Sequence, residues 1–211
     1  GETDRAILEV MATHGRPGVR LPPEATRGRS WGDIASQLVR EDAGGLTPGQ
    51  LASELAASWA QGLDRIGPIP GARAAVAEAA KHLRVGVVSS SPRALVDRVL
   101  SGLGVAAHVG PQARVGADQV MRPKPDPEGF LLAAERLGAP PQECVVFEDS
   151  RACLLAARAA GMASMVVLCR CDEQALCRTL ATGACLDFER LPPDFWARLG
   201  RGEKSLLAQD W

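Results

Sequence analysis

Cys144-Val145-Val146-Phe147-Glu148-Asp149-Ser150 is the stretch that decides the fold. An apolar run stops abruptly on two adjacent carboxylates and opens into a helix-like segment, Ser150 to Ala160. It reads as a buried strand that delivers acids to its end. Two neighbouring acids are costly to hold side by side unless something positive lies between them, and a divalent cation is the usual solution. The same letters also suit a plain helix start, with Asp149 or Ser150 capping free backbone amides. From this stretch alone both readings stand.

Around it, strand-like and helix-like segments alternate. Helix Ala72 to Leu83 leads into strand Val85 to Val88, then helix Pro92 to Leu103, a short apolar step near His108 to Gly110, and helix Pro127 to Leu137. After strand Val145 to Phe147 come helix Arg151 to Ala160, strand Met165 to Leu168, helix Glu173 to Ala181 and a last strand around Cys185 to Phe188. Continuous apolar strands separated by helices predict an α/β fold, a Rossmann-like parallel sheet flanked by helices, in which ligands sit beyond the carboxyl ends of the strands.

Gly67-Pro68-Ile69-Pro70-Gly71 cannot continue a helix and marks a boundary. Before it the chain is helical. Ala6, Ile7, Val10 and Met11 share one face of a helix ending near Gly15, and Ile34, Leu38 and Val39 repeat the spacing after Ser30. Thr47, Pro48 and Gln50 form a capping box ahead of Leu51, Leu55 and Trp59. The Gly-, Pro- and Arg-rich segment from Arg16 to Arg29 is a loop.

Composition sets the class. With 211 residues, 46% of them hydrophobic, the chain can bury a full core. A net charge of −1 gives no electrostatic case for nucleic acid or an anionic membrane as principal partner. No apolar run approaches the roughly 20 residues that span a bilayer, so a cytoplasmic protein, monomeric or weakly dimeric, is expected. The six cysteines lack the spacing of a zinc knuckle, since Cys169-Arg170-Cys171 has a one-residue gap and His14, His82 and His108 lie far off. Reduced thiols are expected.

Two further features fall at predicted strand ends. Val87-Val88-Ser89-Ser90-Ser91-Pro92 runs a strand into hydroxyls at a helix start, which suits a phosphate or simply a cap at Ser91. Arg122-Pro123-Lys124-Pro125-Asp126-Pro127 holds one lysine in a proline-stiffened loop, a device for positioning a phosphoryl group or carboxylate.

Ser89, Lys124 and the Glu148-Asp149 pair, in that order, resemble the haloacid dehalogenase superfamily. The match is most specific in Pro-Lys-Pro-x-Pro and in Val-Val-Phe-Glu-Asp-Ser followed by the helix end at Gly161-Met162. Within the superfamily the chain looks closest to the beta-phosphoglucomutase-like phosphatases and mutases. The resemblance implies that residues 1–4 and 69–211 form the α/β core and that 5–68 form a helical cap. It implies that Ser89 and Ser90 bind the transferring phosphoryl group, that Lys124 neutralises it and links it to the nucleophile, and that Glu148 and Asp149 hold Mg2+. Arg27 and Trp31, with Arg29 and Ser30, look like the cap's specificity segment. The implied substrate is a small phosphorylated metabolite, handled by a phosphatase through an aspartyl-phosphate intermediate or by a phosphosugar mutase.

Departures from the pattern matter as much. The superfamily's first motif, Asp-x-Asp-Gly-Thr or close to it, supplies the nucleophile from the end of a central strand and is not in this sequence; Gly1 to Asp4 resemble the residues just after it. The expectation is that roughly 10 to 20 residues, enough for one strand and its motif, precede Gly1, and that the chain without them is inactive. A catalytically silent, metabolite-binding relative is the alternative. Asp187-Phe188-Glu189 is assigned to structure. Cys153 stands where relatives usually carry glycine.

Overall fold

The structure, a computed structural model, describes residues 1–26, 29–40, 45–62, 65 and 67–211. It divides into two compact units, Gly1–Gly67 and Pro68–Trp211. Among the described residues no helix is long and apolar enough to cross a membrane.

The first unit is helical, with α1 (Glu2–Thr13), α2 (Trp31–Arg40) and α3 (Pro48–Gln61). The faces read from the sequence are the ones buried. Ile7, Val10, Met11, Ile34, Leu38, Leu51 and Leu55 form one apolar cluster. The capping box at α3 forms in both directions, the Gln50 amide donating to Thr47 Oγ1 at 3.3 Å and the Thr47 amide to Gln50 Oε1 at 3.1 Å. Because α1 starts at Glu2, residues 2–4 run directly into this helical unit.

The second unit is α/β and its strands are parallel. Strands β1 (Val87–Val88) and β2 (Arg114–Val115) pair in one sheet; β3 (Val145–Glu148), β4 (Ala163–Val167) and β5 (Gly183–Cys185) form a second, ordered β3-β4-β5. Helices α4 (Ala72–Ala79), α5 (Arg93–Gly102), α6 (Glu128–Leu137), α7 (Arg151–Ala159), α8 (Gln174–Leu180) and α9 (Phe195–Gly200) precede, alternate with or follow them. Alternate residues of β4 serve opposite faces, as a strand's period of two demands. Met165 and Val167 pack with Phe195, Leu206 and Leu207, whereas Val166 packs with Leu154 of α7.

Strand β1 starts two residues later and β4 two residues earlier than expected, and β2 and β5 lie further from their predicted positions. Strand β2 is Arg114–Val115 and not the apolar step at His108–Gly110, which is the end of a 3-10 turn leading to it. A two-residue strand begun by arginine has no apolar pattern to find. Its arginine is held by Asp97 Oδ1 at 2.9 Å and by the carbonyls of Val109 and Ala106. Strand β5 begins at Gly183, two residues before the expected start. A Cβ at Gly183 would stand 1.9 Å from the Leu207 carbonyl oxygen, so the backbone approach itself requires glycine there and hides the strand signal. The expected strand residue Phe188 starts a 3-10 turn capped by Asp187, whose Oδ1 accepts from the Glu189 amide at 3.0 Å and the Arg190 amide at 3.2 Å.

Among the described residues the two sheets do not join: β1 pairs only with β2 and β3 only with β4. A cavity of about 790 Å³ lies against their other edges, lined by Val87 and Val88 from one side and Val145, Phe147 and Glu148 from the other.

Candidate active site

The carboxyl ends of β1 and β3 are brought together by one side chain. Lys124 is 9% exposed. Its ammonium donates to the Val88 carbonyl at 3.3 Å and lies 3.5 Å from Glu148 Oε1, with the Phe130 ring centroid at 5.4 Å. Val88 is the last residue of β1 and Ser89 follows it; Glu148 is the last residue of β3 and Asp149 follows it. The lysine therefore ties the serine loop to the acid pair, and Ser89, Lys124, Glu148 and Asp149 share one end of the fold.

The lysine loop is fixed by α6. Glu128, the first residue of that helix, accepts from the Met121 amide at 2.8 Å and the Arg122 amide at 3.0 Å, and Asp126 Oδ1 accepts from the Glu128 amide at 3.0 Å. A carboxylate in the first turn is favoured by the helix dipole and here also stitches the loop in place. Arg122 remains 70% exposed on its side chain.

Burial pushes the Lys124 ammonium toward its neutral form, yet the Glu148 carboxylate and the Cys153 thiol outweigh that cost and raise it to about 12. Burial also pushes the Cys153 thiol up to about 12. Of the two neighbours, Glu148 is the larger influence favouring the charged lysine.

Ser89 directly follows β1 and precedes a bend at Ser90 and Ser91. Its amide continues the β1–β2 ladder to the Val115 carbonyl at 2.9 Å, and its Oγ accepts from the Ser91 amide at 3.1 Å. Ser90, half-buried, follows it. Ser91 does not cap α5; the Arg93 amide donates instead to Asp118 Oδ1 at 2.7 Å, a partner distant in sequence. At the other strand, Ser150 is the cap of α7, its Oγ accepting from the Cys153 amide at 3.4 Å. With the helix capped by Ser150, Asp149 is not needed for that purpose.

The donor chemistry fits a hard cation in part. Two oxygen-bearing acids stand consecutively where β3 ends, and Mg2+ is commonly held by one or two carboxylates with water and substrate phosphate completing its shell. Among the described residues no group of three or more His, Cys, Asp or Glu gathers as a ready-made metal cage. All six cysteines are free thiols.

The helical-unit residues fare differently. Arg27 lies outside the described residues. Trp31 is buried, its ring 6.2 Å from that of Trp59, and belongs to the core of its unit. Ser30 caps α2 reciprocally with Asp33. The contacts that sequence reasoning missed are Glu128 beneath the loop and Phe130 beneath the ammonium. Of these, Glu128 carries a signal, an acid opening a helix after a proline-rich loop.

A family model described as hydrolase, haloacid dehalogenase-like hydrolase, matches residues 37–161. Fructose-1-phosphate phosphatase YqaB of Escherichia coli K12 is 33% identical over 177 residues, covering 76% of this chain and 90% of that protein. Hexitol phosphatase A of the same organism is 32% identical over 157 residues, covering 72% of this chain and 64% of its relative. In fold, CbbY from Rhodobacter sphaeroides, solved with phosphate, matches with a TM-score of 0.77 at 20% identity, covering 90% of this chain and 88% of that one. Beta-phosphoglucomutase from Clostridium difficile matches with a TM-score of 0.76 at 19% identity, covering 97% and 92%. With strand-end acids, a buried lysine between them and a serine loop on a parallel sheet, and with relatives of this kind, the chain belongs to the haloacid dehalogenase-like hydrolases.

Proposed function

We propose that the site hydrolyses the phosphate ester of a small metabolite, with a phosphorylated sugar or polyol as the first substrate to try. The observation that carries this reading is the Lys124 ammonium held between Val88, beside Ser89, and Glu148, beside Asp149. An anion at this end meets a fixed positive charge and serine hydroxyls, and a phosphoryl group in transfer needs positioning and charge stabilisation above all. Ser89 and Ser90 would orient the phosphoryl oxygens, and Lys124 would offset their charge. Glu148 and Asp149 would hold Mg2+, which supplies electrostatic stabilisation of the transferring group when bound. The helical unit would act as a cap that selects substrate and keeps water out.

The nucleophile in this reading is an aspartate at the end of a further strand, and the cavity between β1 and β3 is where such a strand would pair on both edges. A phosphatase is favoured over a mutase because two relatives that each match over more than two thirds of this chain, at 33% and 32% identity, are named phosphatases, whereas the beta-phosphoglucomutase likeness is one of fold at 19% identity.

The test is phosphate release from a panel that includes fructose 1-phosphate and hexitol phosphates. It is run with Mg2+ or with EDTA, on residues 1–211 alone and on the chain preceded by its encoded upstream segment. The reading expects Mg2+-dependent release from the longer chain only. Turnover by residues 1–211 alone would remove the need for the added strand, and turnover undiminished by EDTA would remove the metal.

A further inference from the structure

Asp118 has no task in the reading above, yet it reaches the loop that carries the serines. It stands on a tight turn, Ala117–Gln119, which follows β2 and closes on itself: the Gly116 amide donates to Gln119 Oε1 at 3.0 Å and the Gln119 amide to the Gly116 carbonyl at 3.1 Å. That turn lies directly against the start of α5. A Cβ at Gly116 would stand 2.3 Å from the Arg93 amide nitrogen and 2.7 Å from its Cα, so glycine is what lets the two backbones come so close.

The turn clamps the serine loop from the β2 side. The Ala117 amide donates to the Ser91 carbonyl at 2.9 Å, and Asp118 Oδ1 accepts from the Arg93 amide at 2.7 Å. Pro92 between them has no amide hydrogen, so these two bonds hold the loop on both sides of it. Within the loop the Ser91 amide donates to Ser89 Oγ at 3.1 Å. A hydroxyl whose oxygen already accepts keeps its own hydrogen to donate, and the direction of that hydrogen follows from where the Ser91 amide sits. The Arg93 side chain is tied elsewhere, to Asp97 Oδ2 at 3.0 Å and the Arg114 carbonyl at 2.9 Å, so α5 keeps its place without Asp118.

We propose that Asp118 is a positioning residue, which with the Ala117 amide fixes Ser91 and through it the direction in which the Ser89 hydroxyl donates to an anion. The acceptor oxygen does this, and an amide oxygen in its place serves as well. The consequence for an anion rests on the phosphoryl-transfer reading. The clamp itself does not.

Amide hydrogen exchange in the 15N-labelled full chain reads the clamp without a ligand. Ser89→Ala removes the acceptor and so sets the rate of a released Ser91 amide. Asp118→Ala should move Ser91 toward that rate while the amides of β3 and β4 keep theirs, a pattern that a general loss of stability would not give. Asp118→Asn, which keeps an acceptor oxygen, should leave Ser91 as in the parent. Inorganic phosphate titrated in with Mg2+ should bind about fivefold more weakly to Asp118→Ala, the size of one net hydrogen bond, and to Asp118→Asn as to the parent. A Ser91 amide as slow in Asp118→Ala as in the parent overturns the proposal, as does an Asp118→Asn variant that behaves like Asp118→Ala, or a phosphate affinity unmoved where Ser91 is released. A parent that binds no phosphate, with Ser91 released in Asp118→Ala and held in Asp118→Asn, supports the clamp and overturns the reading of the site.

Discussion

Replacing Lys124 by methionine keeps most of the side chain's volume and removes its charge. Glu148, whose side chain is 16% exposed, then loses the cation beside it. The size of the loss follows from the lysine's own titration. Raised from 10.5 to about 12 in the folded protein, it favours the charged form by about 2 kcal/mol at roughly 1.4 kcal/mol per unit. Breaking a fully buried pair costs about 3–5 kcal/mol, and this one opens toward a cavity, so Lys124→Met should destabilise the α/β unit by about 2–3 kcal/mol. Glu148→Gln in the same chain should recover part of that, because the stranded carboxylate is gone.

The pH dependence has a definite sign. The folded value lies above the unfolded one, so the contribution is complete below about pH 10.4 and is lost as pH rises through 12. Urea unfolding followed by tryptophan fluorescence is the assay, since Trp196 packs 5.3 Å from Phe147, next to Glu148 on β3. The gap between parent and variant should be level from pH 7 to pH 9 and close only in stronger alkali. A variant as stable as the parent, or a gap that closes by pH 9, would refute the reasoning.

Other perturbations have equally definite outcomes. Arg114 first, then Arg93, hold the Asp97 carboxyl below its ordinary range, so Asp97→Asn should destabilise the α/β unit at pH 7 by up to about 1 kcal/mol, discounted for the half-exposed carboxylate. Its contribution is present above the unfolded value and lost as pH falls through the folded one, so the gap in urea midpoint must narrow between pH 5 and pH 3; a gap that widens there contradicts the assignment. Gly183→Ala places a methyl 1.9 Å from the Leu207 carbonyl oxygen, which forces β5 and the C-terminal segment apart. A fall in melting temperature of several degrees is expected, about 4 °C or less per kcal/mol in a chain of this size; an unchanged melt would show that the backbone approach relaxes freely.

What was legible in the sequence is what repeats or ends abruptly. The apolar faces of α1 to α3, the capping box at Thr47 and the run from Val145 to Glu148 carry their structure in their spacing, and each forms as the pattern predicts. Strand β2 did not show, because a two-residue strand led by an arginine that bonds sideways to Asp97, Ala106 and Val109 has no period. Helix α9 was missed for a different reason. Phe195 and Leu199 bury one side of a six-residue helix, too short a span to display a 3.6-residue repeat. At the site, the order Ser89, Lys124, Glu148, Asp149 could be read along the chain. Contacts made by backbone and neighbours could not be read so: the Val88 carbonyl and the Phe130 face meet Lys124 only because β1 and α6 converge on it.

The claim on which the rest depends is that Ser89, Lys124, Glu148 and Asp149 form one anion and metal site. Titration of inorganic phosphate into the chain by 31P NMR, with and without Mg2+, tests it without requiring turnover. The account predicts binding that Mg2+ strengthens, that is lost in Lys124→Met and that Mg2+ no longer strengthens in Asp149→Asn. Phosphate binding that is indifferent to the metal and to both substitutions would contradict it.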